Sequence, residues 1–169
     1  MIEVTVDSVR ASLMSQHRVV VLRELTSSRY LPIWVDPAVA EAITTELQGV
    51  AAPRPMTQDL LRNVLEDLGA QVEYIVVDEI RSEVFIATIV LKFDGRTITI
   101  DARPSDAIAL AVRTRSTIYV DDEVMQSASL TPEPGIPMDA EGTGDGLAPY
   151  REFLESLDID SLDSNKGKE

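Results

Sequence analysis

Between residues 71 and 113 the spacing of apolar residues changes period once, and this change restricts the fold more than any other feature. "QVEYIVVDEI", "SEVFIATIVLKF" and "RTITID" carry the alternation and β-branched content of strands. "PSDAIALAVRTR" then repeats at helical spacing. Asp94-Gly95 separates the second and third runs, a dipeptide suited to a tight hairpin because both central positions need positive φ. Strands joined by short turns are antiparallel neighbours. A helix leaving the last of them must bury its apolar face on their sheet. The expected class is α+β: a mostly antiparallel sheet with helices packed on it.

The flanking segments extend this pattern. "IEVTVDSVRASL", "VVVLRE" and "RYLPIWV" read as three strands, with "MSQHR" as the first turn. "DPAVAEAITTELQGV" reads as a helix, opened by Asp36-Pro37 and stopped at Gly49. "MTQDLLRNVLEDLGA" is a second helix, with Thr57 as N-cap and Gly69 as its stop. Its Leu60, Leu61, Val64, Leu65 and Leu68 form a wide stripe expected to bury against the sheet. A short strand "TIYV" and a helical turn at "DDEVMQ" follow. The globular part is expected at residues 1–127. Residues 128–148, rich in Pro, Gly and acids, read as a linker, 149–160 as an amphipathic helix, and 161–169 as a fraying tail.

Composition removes several chemistries. The 169-residue chain has no cysteine, so disulfides, thiolate metal sites and thiol nucleophiles are excluded. His17 is the single histidine, which excludes two-histidine metal sites and paired-histidine acid/base chemistry. With a lone histidine in a predicted turn, a Ser–His–Asp triad is not available to Ser105 or Thr57. No phosphate-cradling glycine loop occurs. No apolar run reaches the length of a membrane span, and no secretory leader is readable, so a cytoplasmic location is expected. The net charge of −14 is uneven: residues 121–169 hold 13 acids and 3 bases. The body is nearly balanced and its bases are Arg, save Lys92. Such a body lacks the field for tight nucleic-acid binding by counterion release, yet placed arginines suit a few phosphates.

Two junctions share chemistry. "RPMTQD" (54–59) and "RPSD" (103–106) each offer Arg, Pro, a hydroxyl and an Asp at a helix start. Capping by Thr57 or Ser105, with Asp59 and Asp106 complementing the dipole, explains everything except the arginines. Arg54 and Arg103, beside helix N-termini, are therefore candidate phosphate-binding groups together with Thr57 and Ser105. Asp101 ends a strand, on the face of Thr97 and Thr99. It either pairs with Arg103 or joins Asp106 in holding a metal ion. Mg²⁺ or Mn²⁺ needs only one or two carboxylates when substrate phosphates complete its shell. Asp101, Asp106 and Asp59 are the candidate catalytic carboxylates, and Asp101 and Asp106 the candidate metal ligands.

"LPIWV", "PRPMTQDLL", "LGAQVEYIVVDEI", "FIATIVL", "IDARPSDAIALAVR" and "IYVDDEV" resemble the bifunctional nuclease domain family, and "YREFLESLDIDSL" resembles the C-terminal helix of its bacterial members. The resemblance implies an α+β domain, often oligomeric, here expected as a homodimer, with DNase and RNase activity in some plant members. Gln58 stands where that family commonly has His, and Asp36 and Val39 where it commonly has Gly and Glu. The expected function is metal-dependent phosphodiester hydrolysis of DNA and RNA. The alternative is a non-catalytic oligomeric binding or regulatory module whose Arg-Pro junctions are structural.

Overall fold

The computed structural model describes residues 1–11 and 18–131, which fall in one unit, Met1–Thr131. The predicted turn with His17, the linker from residue 132 on, the C-terminal helix and the tail lie outside the described residues. The strands are β1 (Ile2–Ala11), β2 (Arg18–Glu24), β3 (Tyr30–Val35), β4 (Gln71–Arg81), β5 (Val84–Phe93), β6 (Arg96–Ala102) and β7 (Thr117–Val120). The helices are α1 (Pro37–Leu47), α2 (Thr57–Asp67), α3 (Pro104–Thr114) and α4 (Asp122–Ala128). The class is α+β, as the change of period predicts.

All seven strands form one sheet in the order β3-β2-β1-β7-β4-β5-β6. Every pair is antiparallel except β4 with β7, which the crossover through α3 makes parallel. The Asp94-Gly95 hairpin forms, both residues at positive φ. The β4–β5 hairpin also turns on two positive-φ residues, Ser82 and Glu83. Neither is glycine, and the sequence carries no cue there beyond polarity.

Helix α3 is the axis of the core. Ala107, Ile108, Ala109, Leu110 and Ala111 are buried, and the alanines let neighbouring elements approach closely. The helix touches β3 and β7 as well as β4 and β5, so the sheet curls around it. Ile75, Val77, Ala87, Ile89 and Leu91 of the central strands meet Val20, Leu22, Leu31 and Ile33 in the same cluster. At roughly 1.5–3 kcal/mol per fully buried large aliphatic side chain, this cluster is the main source of stability.

Helix α2 departs from expectation. None of its residues is buried: Leu60 stays 58% exposed, and Leu68, at its C-cap, 66%. Only Leu65 of the predicted stripe packs against the core. The reason is that α3 already fills the concave face of the sheet, so α2 packs on α3 instead. Helix starts also shift, by one residue in α2 and by two in α3. Met56, not Thr57, holds the N-cap position of α2, and Arg103, not Ser105, that of α3. Pro104 is then the first residue of α3, where its missing N–H costs nothing. Asp36 occupies the α1 cap, but its carboxylate accepts no helix N–H.

Candidate functional site

The strand-to-helix junctions at Asp36-Pro37 and Arg103-Pro104 end at the same place. The first delivers Asp36 to the start of α1, and the second delivers Arg103 to the start of α3. Arg103 Nε donates to Asp106 Oδ2 at 2.7 Å, and its Nη1 faces Asp36 Oδ2 at 3.8 Å, beyond hydrogen-bond reach. Further along, the Arg113 Nη2 reaches the carbonyl of Ala42 in α1 at 3.1 Å. Both contacts advance along the two helices in the same sense, Arg103 toward Asp36 and Arg113 toward Ala42, so α1 and α3 run side by side with their N-termini at one end. Their dipoles add positive potential at that end.

Arg103 is 67% exposed. The hydrogen bond and charge of Asp106, outweighing slight desolvation, hold its pKa above the ordinary value, with Asp36 adding to this. It is thus a permanent cation, aimed by Asp106 at an open edge where two helices begin. A planar guanidinium in that position suits bidentate contact with a phosphate or carboxylate.

The other predicted residues separate from this group. Asp101 lies on β6 opposite Thr88 of β5. Ile98 and Ile100 oppose Leu91 and Ile89, which line the core, so strand alternation turns Asp101 to the face away from the helices. Its neighbour Thr88 donates its hydroxyl to Asp78 Oδ2 at 2.6 Å. Asp101 therefore shares its face with Asp78 and Thr88, while Asp106 rides on α3 across the sheet. Arg54 is exposed between α1 and α2, and Thr57 is the exposed first residue of α2. Ser105 is buried in the first turn of α3.

Asp59 has a different task. Its Oδ2 accepts the backbone N–H of Met56 at 2.8 Å, closing the start of α2. Its Oδ1 accepts from Arg113 Nε at 2.6 Å. Arg113, 1% exposed, also donates to the carbonyls of Ala109 and Ala42. Burial pushes the Asp59 carboxyl up, but the bonds from Arg113 and Met56 outweigh it and leave it below its ordinary value. One side chain thus ties α1, α2 and α3 together. The hint in the sequence is a charged residue placed inside the apolar run of α3, which requires a buried partner.

The carboxylates do not assemble into a cation site. Among the described residues no three His, Cys, Asp or Glu side chains gather where they could hold a metal. Asp101 and Asp106 project to different sides of the sheet, Asp106 is committed to Arg103, and Asp59 to Arg113. These residues do not fit Mg²⁺ or Mn²⁺ as a resident ion of one chain. No helix among the described residues is long and apolar enough to cross a membrane.

Comparison with known proteins adds to this geometry. The profile of the bifunctional nuclease domain matches residues 20–133, more than half of the chain. An uncharacterized protein of Mycobacterium tuberculosis is 37% identical over 165 residues, covering 95% of this chain and 97% of its own. Bifunctional nuclease 2 of Oryza sativa subsp. japonica is 30% identical over 133 residues, 76% of this chain and 41% of that protein. Bifunctional nuclease 1 of the same subspecies is 26% identical over 117 residues, 68% of this chain and 35% of that protein. The matched span contains α1, α3, Arg103, Asp106 and the Asp59–Arg113 pair.

Proposed function

Because the chain belongs to the bifunctional nuclease domain family, we propose that it hydrolyses phosphodiester bonds of DNA and RNA with little sequence preference. The observation that supports this reading best is Arg103, an exposed guanidinium at two adjacent helix N-termini. A backbone phosphate docks there, taking the donors that Asp106 leaves and displacing the loose contact to Asp36. The helix dipoles and the guanidinium stabilise charge that grows on the phosphate oxygens as the bond breaks. A nearly balanced body fits weak binding that is indifferent to sequence. With His17 the single histidine, a base drawn from this region is a carboxylate, and Asp106 and Asp36 are the nearest to Arg103.

No step of this reading runs through Mg²⁺ or Mn²⁺. The requirement for either ion is a separate proposal, read by comparing EDTA with added cation. The test is cleavage of labelled single-stranded DNA, duplex DNA and RNA by the full chain and by Arg103→Ala, Asp101→Asn and Asp106→Asn. The expected result is measurable cleavage that Arg103→Ala lowers at least tenfold with an unchanged urea midpoint. A correctly folded chain that cleaves none of the three, or Arg103→Ala at full rate, overturns it.

A second reading, a non-catalytic binding module, draws on the Asp59–Arg113 pair. That pair makes one of the two Arg-Pro junctions structural. Retained binding of oligonucleotide without cleavage is the result that favours it.

A further inference from the structure

The two edges of the sheet are built differently. Edge strand β3 contains Pro32, which removes a backbone donor, and its first residue, Tyr30, exchanges backbone hydrogen bonds with Leu130. These are the usual devices that keep a sheet edge from pairing with another chain. Edge strand β6, "RTITIDA", has none of them. It contains no Pro, no Gly and no Lys, and it pairs with β5 without a bulge over all seven residues. Among the described residues no strand lies on its outer side. Ile98 and Ile100, 40% and 42% exposed, continue the row of buried Leu91 and Ile89 out to that open edge. The row is apolar, β-branched and unfinished.

We propose that β6 pairs antiparallel with β6 of a second copy of this chain, about a two-fold axis through Thr99, to make one continuous sheet across the dimer. Two constraints give this register. Residues opposite each other in an antiparallel pair project to the same face, and a residue's N–H and C=O point to the same neighbour. Pairings that place an even-numbered residue opposite an odd one fail on both counts. Of the rest, centring on Thr99 overlaps the whole strand. It sets Thr99 against Thr99, Ile98 against Ile100, Thr97 against Asp101 and Arg96 against Ala102.

The strand is complementary to itself in this register. No like charges face each other, and a threonine hydroxyl meets each Asp101 carboxylate. On the helix side, four isoleucines from two copies form one cluster that extends the Ile89–Leu91 row. Backbone pairing supplies about one hydrogen bond per residue along the strand. A cross-strand pair of β-branched residues adds roughly 0.2–1 kcal/mol. The symmetric arrangement uses the same patch on both partners, as a two-fold dimer requires.

The test uses the full chain. Sedimentation velocity over a wide concentration range is expected to show a dimer, and the double substitution Ile98→Lys with Ile100→Lys to raise its dissociation constant at least tenfold. Both residues are substantially exposed, yet a folding loss is covered by a second variant. Thr99→Cys is a conservative change in a chain without cysteine, so it reports one proximity alone. Mild oxidation or a short bismaleimide is expected to join Thr99→Cys to itself, while Val84→Cys, at the far end of β5 and 63% exposed, stays single. A monomer at every concentration overturns the proposal. So does a dimer that Leu61→Lys with Leu68→Lys abolishes while Ile98→Lys with Ile100→Lys leaves it intact, since the interface is then the exposed face of α2. Equal crosslinking of Thr99→Cys and Val84→Cys overturns it as well.

Discussion

Replacing Asp59 by Asn is expected to loosen α2 and cost the protein about 3 kcal/mol. Arg113 is 1% exposed and makes three hydrogen bonds to oxygen: Asp59 at 2.6 Å, the Ala109 carbonyl at 2.9 Å and the Ala42 carbonyl at 3.1 Å. Asparagine keeps the volume and still accepts the Met56 N–H, so the change removes charge and little else. The guanidinium then stays buried with two carbonyls and no counter-charge. Breaking a buried pair in this way typically costs ~3–5 kcal/mol. The lower end applies because the carbonyls remain and Asp59 itself is 18% exposed. Asp59→Ala also removes the acceptor at the start of α2, adding about 1 kcal/mol. Urea denaturation of wild type, Asp59→Asn, Arg113→Met and the double variant gives the coupling directly, expected at about 2 kcal/mol or more. Hydrogen exchange adds a local readout: amides of 57–67 should lose protection first, since α3 is the main support of α2. A loss below about 1 kcal/mol in Asp59→Asn, or a coupling near zero, refutes the idea that this pair clamps the three helices.

Glu24 should make the domain acid-sensitive. Hydrogen bonds from Arg29 and Ser27, against the cost of burial and with help from Thr26, hold its pKa at about 2. Its folded pKa lies below the unfolded value, so its contribution is present above about pH 4.5 and lost as pH falls toward 2. That shift corresponds to about 3 kcal/mol, and Glu24→Gln should flatten the stability profile over this window. Glu83→Gly is expected to raise stability by about 1 kcal/mol in a thermal melt, because Glu83 holds φ +64 in the β4–β5 turn. A lower melting temperature counts against that geometry. Leu68→Lys, at the exposed C-cap of α2, should change stability by less than about 0.5 kcal/mol. Ile108→Ala in the core should cost roughly 2–5 kcal/mol by the same denaturation curve.

Local chemistry wrote most of the architecture into the chain. Alternation from Gln71 to Asp101, the Asp94-Gly95 turn and the switch to helical spacing after Pro104 required hairpins feeding a helix, and those elements are present. Pro37, Gly49 and Gly69 marked helix limits through their own backbone preferences. The candidate site was legible only as residue types. Arg103 and Asp106 meet because they are three apart at a helix start, a local fact. Asp36 joins them, and Asp59 is drawn to Arg113 54 positions away, only because α1, α2 and α3 pack together. The side of the sheet that Asp101 faces was fixed by register against Thr88, which separates it from Asp106. The leucine stripe of α2 shows the same limit. Period sets which residues share a face, but occupancy of the concave sheet by α3 decided that this face stays open. Short-range pattern is a property of neighbouring residues, whereas partners, burial and the open edge at β6 depend on which elements compete for the same space.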